Sequence, residues 1–477
     1  MIIVSNRLPI TIAADPSGFT MKPSNGGLVS ALTPILNDSG GHWVGWTGTD
    51  YDEQLVDLIR TRWSPANYTF VPLFLSGFDK TCFYQGCSNE IFWPLFHGLS
   101  SRCRFDPEYW KSYRRVNAQF ASVVGTIEND TDVIWVHDYH LMLLADALRH
   151  RGSQQRIAYF HHIPFPPPDI FEALPWRVEV LRALMRFNVI GFQTPRDTQN
   201  FIACIRHWLS DMWVSPLGER MLVQTDDGDT TVGTYPISID YDAVSSESTG
   251  TEVSRIFRAI KEGFGDTRII LGVDRLDYTK GIPERLTAFQ RMLEQYPELR
   301  GRVTLVQIVV PSREEIPEYT DLRLRIETMI SQINGKYADL GWVPIHFFYR
   351  SIPRAELIAF YRAAQVALVT PLKDGMNLVA KEFCAARVDK RGVLVLSEFA
   401  GAACELKHHA LVVNPHDTER MASVLYSALR MEDTEQKMRM EAMRSHLCRH
   451  DVFRWSRTFT DDAIPAEWNN RIVGNFA

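Results

Sequence analysis

Cysteine is scarce and scattered: seven residues, at 82, 87, 103, 204, 384, 404 and 448, none of them in a CxxC pair. An odd number at such spacings argues against both a disulfide framework and a zinc knuckle. No run of lysine and arginine stands out, and 51 basic residues against 57 acidic ones give a formal net charge of −6. Nucleic acid is therefore excluded as the expected partner. No apolar stretch approaches the length of a membrane span, and the opening "MIIVSNRLPI" has no basic leader before its apolar run. No solenoid-type repeat and no GxGxxG turn are found. These shortages lead to the expectation of a cytoplasmic protein in a reducing compartment, without a membrane partner.

The composition, 45% hydrophobic and 23% charged over 477 residues, is that of a globular chain with two or three domains. Short β-rich runs alternate with longer amphipathic segments. "IIVS", "DVIWVHD", "RIAYFHH" and "NVIGFQT" form one series, and "RIILGVD", "VTLVQIVV", "VALVTP", "GVLVLS" and "ALVVNP" a second after about residue 240. Near-continuous apolar strands separated by helices predict parallel sheets covered on both faces, an α/β class. The polar stretch 238–254, "SIDYDAVSSESTGTEVS", falls between the series and marks the junction. The expected division is 1–237, 238–456, and a C-terminal segment 457–477 that packs back on the first domain. Two facing domains of this kind would gather their strand ends around one cleft, where open α/β sheets bind ligands.

Six polar residues follow six of the predicted strands: Arg7, Asp138, His162, Arg275, Arg313 and Asp374. One such residue is ordinarily a solvated strand end; six in register point to a site. Arg275 and Lys280 flank a turn leading into "IPERLTAFQRM". A helix N-terminus already favours an anion, and a guanidinium and an ammonium beside it suit a diphosphate. The alternative, Asp277 pairing with Arg275 or Lys280 on the surface, stays open. In "TPLKDGMNLVAKEF", Asp374 either accepts from sugar hydroxyls, caps the following helix, or does both, and Glu382 is placed to reach a ribose. "VHDYHL" and "FHHIPFPPP" invite a metal, but their spacing fits no zinc pattern and the Pro-rich 164–168 loop suggests a rigid wall. The aromatics of "WVGWTG", with Tyr84 and Trp93, suit sugar rings and equally an ordinary core.

Taken together, "VSNRLP", "NGGL", "WVGWTG", "WPLFH", "VHDYHLM", "HIPFPPPDIF", "GFQTP", "DRLDYTKGIPERL", "NGKY", "TPLKDGMNLVAKEF" and "LSEFAGAACEL" resemble the trehalose-6-phosphate synthase family over nearly the whole chain. That resemblance implies a GT-B fold, two Rossmann-like domains facing a central cleft. It implies a retaining transfer of glucose from UDP- or GDP-glucose to glucose 6-phosphate, with no metal and no cofactor beyond the nucleotide sugar. Arg275 and Lys280 would hold the donor diphosphate, approached by the backbone of Gly27. Asp374, Gly375, Met376, Asn377 and Leu378 would line the donor sugar and phosphates, Glu382 would grip the ribose, and Ile352 would lie near the base. Arg7, Tyr84, Trp93 and Arg313, with Trp46, would form the acceptor phosphate pocket; Asp138 would bind acceptor hydroxyls and His162 would stand beside the reacting sugars. A homo-oligomer is expected by the same likeness. Two departures bear on specificity: Gly86-Cys87 in "YQGCSN", where relatives carry an aromatic, and "FYRSIPRAEL", which leaves uracil or guanine open as the base. Competing readings are a glucosylglycerol-phosphate synthase, a cyclitol-joining pseudo-glycosyltransferase, a non-catalytic sugar-phosphate sensor and a metal-dependent phosphohydrolase.

Overall fold

The computed structural model describes residues 1–464 except 16–17, 24–26, 66, 130–132 and 314. The chain divides into two compact units, one of Met1–Ile237 with the described part of Phe453–Ala477, the other of Ser238–Val452. Residues 465–477 of the expected C-terminal segment, and Asn25 and Gly26 of "NGGL", lie outside the described residues.

The first unit contains β1 (Ile2–Arg7), β2 (Ile10–Asp15), β3 (Gly18–Pro23), β4 (Gly41–Trp46), β5 (Tyr68–Leu73), β6 (Val133–His137), β7 (Arg156–Phe160), β8 (Val189–Phe192), β9 (Trp213–Leu217), β10 (Arg220–Thr225) and β11 (Gly228–Thr234). Nine of them form one sheet in the order β5-β4-β1-β6-β7-β8-β11-β10-β9, while β2 and β3 pair as a separate hairpin. All its pairings are parallel except those of β10 with β9 and β11. The runs "IIVS", "VIWVH" and "IAYF" are buried along their length, as strands covered on both faces require.

The second unit contains β12 (Arg268–Arg275), β13 (Val303–Val310), β14 (Ile345–Tyr349), β15 (Val366–Val369), β16 (Val393–Ser397) and β17 (Leu411–Val413). They form an all-parallel sheet in the order β14-β13-β12-β15-β16-β17. The helix Ile282–Gln295 shows why this sequence covers that sheet. Its Ile282, Leu286, Phe289 and Leu293 recur at helical spacing, are buried, and join strand residues Ile270, Leu305 and Leu368 in one core. Both units are therefore Rossmann-like α/β layers, the class expected from the alternating pattern.

The strand orders fix where a ligand belongs. From β1 the parallel strands run one way through β4 and β5 and the other way through β6, β7 and β8; from β12 they run through β13 and β14, then through β15, β16 and β17. The reversal lies between β1 and β6 in one unit and between β12 and β15 in the other. Open parallel sheets bind at the carboxyl ends of the strands at such a reversal.

The helix Val452–Ala463 returns to the first unit, where Phe459 stacks on Trp135 at 5.0 Å and meets Phe160 and Tyr235 edge-on at 5.4 and 5.0 Å. Phe459 is fully buried, and a Cβ on Gly191 would come within 2.7 Å of its ring. Replacing Phe459 by alanine is expected to cost about 3–5 kcal/mol of stability. Chemical denaturation read by tryptophan fluorescence checks this, and an unchanged midpoint contradicts it.

Candidate functional site

In the first unit, three predicted residues sit at the ends of three adjacent strands. Arg7 is the last residue of β1, Asp138 follows β6, and His162 stands two residues beyond β7. Arg7 emerges because "WVGWTG" makes room for it. A Cβ on Gly45 would meet the backbone nitrogen of Leu8 at 2.6 Å, and one on Gly48 (φ +88°) would meet the Arg7 guanidinium at 2.1 Å. That guanidinium lies 4.6 Å from the centre of the Trp46 ring, within cation–π range. Trp46 is buried, and its indole Nε1 has no hydrogen-bond partner among the described residues.

Tyr84 meets Trp46 edge-on at 5.6 Å and stacks on His140 at 6.1 Å, and Trp93 contacts Tyr139 at 5.9 Å. Tyr84 is carried by an uncommon device, and Trp93 follows directly on it: Lys80–Phe92 winds as a π-helix, whose bonding is shown where the Trp93 N–H donates to the carbonyl of Ser88. Wide turns of this kind concentrate at functional sites. The Gly86 departure has a steric reason. A Cβ there would come within 2.6 Å of the Tyr109 ring, so the aromatic over this loop is supplied by the helix Pro107–Val124.

Asp138 has φ 75° and ψ 164°, a conformation that L-residues avoid at a cost of about 1–3 kcal/mol. It is held there by its N–H donating to the Phe160 carbonyl at 2.8 Å and its own carbonyl accepting from Leu141 N–H at 3.1 Å. His162 Nε2 and His137 Nδ1 are 3.0 Å apart, and Gln193 Nε2 lies 3.5 Å from His162 Nδ1. Gln193 was not among the predicted residues, although "GFQTP" contains it. Burial pushes His162 and His161 each down to about 3 and His137 well below its usual value, so all three imidazoles are neutral at pH 7.

In the second unit, Arg275 ends β12, Arg313 follows β13, and Asp374 follows β15; these three strands are adjacent. Arg313, which the resemblance groups with Arg7, thus belongs to this unit, beside Asp277 (3.4 Å) and Tyr319. Asp277 is no surface partner. It is buried, and its Oδ1 accepts from the N–H and hydroxyl of Thr279 at 3.0 and 2.8 Å. Burial alone would raise its pKa, but Arg313, Lys280 and Arg275 outweigh that and hold it below the usual carboxylate range. Lys280 instead pairs with Asp374, Nζ to Oδ2 2.6 Å.

The loop bearing Asp374 is clamped from two sides. Leu372 N–H donates to the Thr279 carbonyl at 2.7 Å, while Asp374 N–H donates to Phe399 and Gly401 N–H to Asp374 at 3.1 and 3.0 Å. A Cβ on Gly281 (φ +65°) would lie 2.3 Å from the Thr370 carbonyl, and one on Gly401 would lie 1.8 Å from the Gly375 carbonyl. Asp374 does not cap the next helix, Leu378–Ala386. Asn377 does, its Oδ1 accepting from Ala380 N–H at 3.2 Å while its Nδ2 donates to Asp374 Oδ2 at 3.1 Å. Met376 is buried, Leu378 opens the helix, and Glu382, one turn further along, accepts from the Tyr361 hydroxyl at 2.9 Å. Burial raises the Glu382 pKa. Ile352 is buried between β14 and the helix Arg354–Ala363, and Gly27 opens the helix Gly27–Ser39 of the first unit.

Backbone strain falls on the same residues. Among the described residues, only Asp138, Arg313, Asn377 and Lys390 have positive φ without being glycine, and three of these four were singled out from the sequence. Among the described residues, no three His, Cys, Asp or Glu side chains are grouped to hold a metal ion, and no helix is long and apolar enough to cross a membrane.

The neutral histidines give a pH dependence with a definite sign. The unfolded chain protonates them near 6.5, whereas folded His161 and His162 resist until about 3. Their contribution is complete above about pH 6.5 and is lost as pH falls towards 3. The urea midpoint is therefore expected to drop between pH 7 and pH 5, and to drop less in a His161→Gln variant. A midpoint flat over that interval contradicts the assignment.

The comparisons with known proteins bear on the whole chain. A family model described as Glycosyltransferase family 20 matches residues 1–464. A trehalose-6-phosphate synthase of Mycobacterium leprae is 41% identical over 466 residues, covering 96% of this chain and 93% of that protein. A bifunctional trehalose-6-phosphate synthase/phosphatase of Thermoproteus tenax is 40% identical over 98% of this chain, which spans only 64% of that protein's length. Among solved structures, a UDP-forming alpha,alpha-trehalose-phosphate synthase of Burkholderia xenovorans, in complex with glucose-6-phosphate, superposes with a TM-score of 0.89 at 36% identity, covering 97% of this chain and 99% of that one. With a family match over nearly its full length and relatives at this identity, the chain belongs to glycosyltransferase family 20.

Proposed function

We propose that the protein transfers glucose from UDP-glucose to glucose 6-phosphate with retention of configuration, giving α,α-trehalose 6-phosphate and UDP. The observation that carries this reading is the second unit's cation-rich turn. Arg275, Lys280 and the N-terminus of the helix Ile282–Gln295 gather at the sheet's reversal point. A nucleoside diphosphate is the ligand such a turn suits, since its charge is met by a guanidinium, an ammonium and free N–H groups. The choice of uridine over guanosine, and of glucose 6-phosphate as acceptor, is supported by the Burkholderia relative, which is UDP-forming and was solved with glucose-6-phosphate.

In this reading Arg275 and Lys280 neutralise the diphosphate as its bond to the sugar C1 breaks. Asp374 and the backbone from Gly375 to Leu378 hold the donor sugar and phosphates, and Glu382 holds the ribose. Arg7, with Tyr84 and Trp93, takes the acceptor phosphate, and Asp138 orients the acceptor hydroxyls. Neutral His162 can exchange a hydrogen bond with the reacting sugars without adding charge. The acceptor hydroxyl attacks C1 from the face the diphosphate leaves, and the departing phosphate oxygen takes its proton. Catalysis is then positioning plus stabilisation of the leaving charge.

Two measurements test this. Purified protein with glucose 6-phosphate and either UDP- or GDP-glucose, with EDTA present, should release UDP and form a disaccharide phosphate of the expected mass. Turnover confined to another phosphorylated acceptor, or to GDP-glucose, overturns the corresponding half of the reading. Arg275→Ala, at an exposed strand end, should keep the fold by circular dichroism and lose about 10²–10³ in kcat. Near-normal turnover in that variant contradicts the diphosphate role.

A further inference from the structure

Arg285 is a charged residue in the wrong place for a surface helix. It lies on the inner face of the helix Ile282–Gln295 and is completely buried. Taking a guanidinium out of water is costly, and a hydrophobic residue of similar volume commonly serves stability as well or better. Its presence there calls for a reason in what it holds.

The hydrogen bonds of Arg285 reach three segments that bear or adjoin a candidate donor-binding residue, and one neighbouring strand, β13. Nη1 pairs with Asp274, the neighbour of Arg275, and donates to Gln307 on β13 at 3.1 Å. Nε donates to the Thr370 hydroxyl at 3.2 Å, at the start of the loop that reaches Asp374. Nη2 lies 3.4 Å from the carbonyl of Lys280 itself. The space is reserved for this group: a Cβ on Gly272 would meet Nη1 at 2.6 Å and Gln307 Oε1 at 2.5 Å. Thr370 is gripped twice, since its carbonyl is also the atom against which Gly281 packs without a side chain.

We infer that Arg285 is a positioning residue: one buried guanidinium that sets the mutual spacing of Arg275, Lys280 and Asp374, and through it the fit to a nucleoside diphosphate. The inference rests on the donor reading above. Arg285 touches no ligand in this account; its charge is met by Asp274. A planar fork reaching three segments at once is something lysine cannot reproduce. Two roles are thereby separable. If Arg285 merely neutralised Asp274, a lysine would suffice; if it braces the three segments, a lysine would leave the fold and loosen the site.

The test compares wild type, Arg285→Lys and Thr370→Val, the last removing only the hydroxyl that Arg285 Nε bonds. UDP affinity is measured by calorimetry, melting temperature by fluorescence, and KM separately for UDP-glucose and glucose 6-phosphate. Misplacing a site by a fraction of an ångström to an ångström lowers its fit by about tenfold or more. The expected result is about tenfold weaker UDP binding with a matching rise in donor KM, acceptor KM unchanged, and a melting transition that stays cooperative. If Arg285→Lys does not fold, Thr370→Val carries the same readout. UDP affinity within twofold of wild type in the folded variants, with only the melting temperature lowered, overturns the positioning role. Wild type that binds no UDP overturns the donor reading and this inference with it.

Discussion

Three cations around one buried carboxylate set the terms for the second unit. Asp277 fixes the turn before the helix by accepting from Thr279, and burial would favour its neutral form were Arg313, Lys280 and Arg275 not there. The dependence is mutual, because cations this close repel one another unless a carboxylate lies among them. Asp374 adds a second carboxylate through Lys280. The helix Ile282–Gln295 opens beside these groups, and its first N–H groups and dipole favour an anion.

That arrangement has to be held still to discriminate one anion from another. Backbone clamps supply the rigidity: Leu372 to Thr279, Gly401 to Asp374, and glycines at 281 and 401 where any side chain would strike a carbonyl. The first unit uses strain for the same end. Asp138 is fixed in a costly conformation by hydrogen bonds to Phe160 and Leu141, and the π-helix Lys80–Phe92 holds Tyr84 against Trp46 and His140. Preorganisation of this kind means the side chains need not reorganise when charge develops.

How much of this the sequence disclosed follows from the physics of each element. Arg7 and Arg275 were legible because a β-rich apolar run ends abruptly in a charge, and that junction is a one-dimensional pattern. The α/β class was legible for the same reason. The π-helix was not, since i→i+5 bonding leaves no hydrophobic period that separates it from an α-helix. Asn377 as cap was missed because the choice between it and Asp374 turns on a backbone angle, φ 81°, that composition does not record. Arg285 reads as one more polar residue of an amphipathic helix, and only packing shows it buried. Arg313 follows a strand of the second sheet, as its chain position indicates, while its place in the acceptor pocket is implied by the resemblance.

The central claim is a division of labour, with the donor held mainly by the second unit and the acceptor mainly by the first, Gly27 and Arg313 being the exceptions that the resemblance implies. Hydrogen exchange of the full chain, with UDP alone and with glucose 6-phosphate alone, tests it most directly. The account predicts that UDP slows exchange at 275–281 and 374–380, and that glucose 6-phosphate slows it at 84–93 and 138–142. UDP protection at the first unit's segments, or none at either, would contradict it.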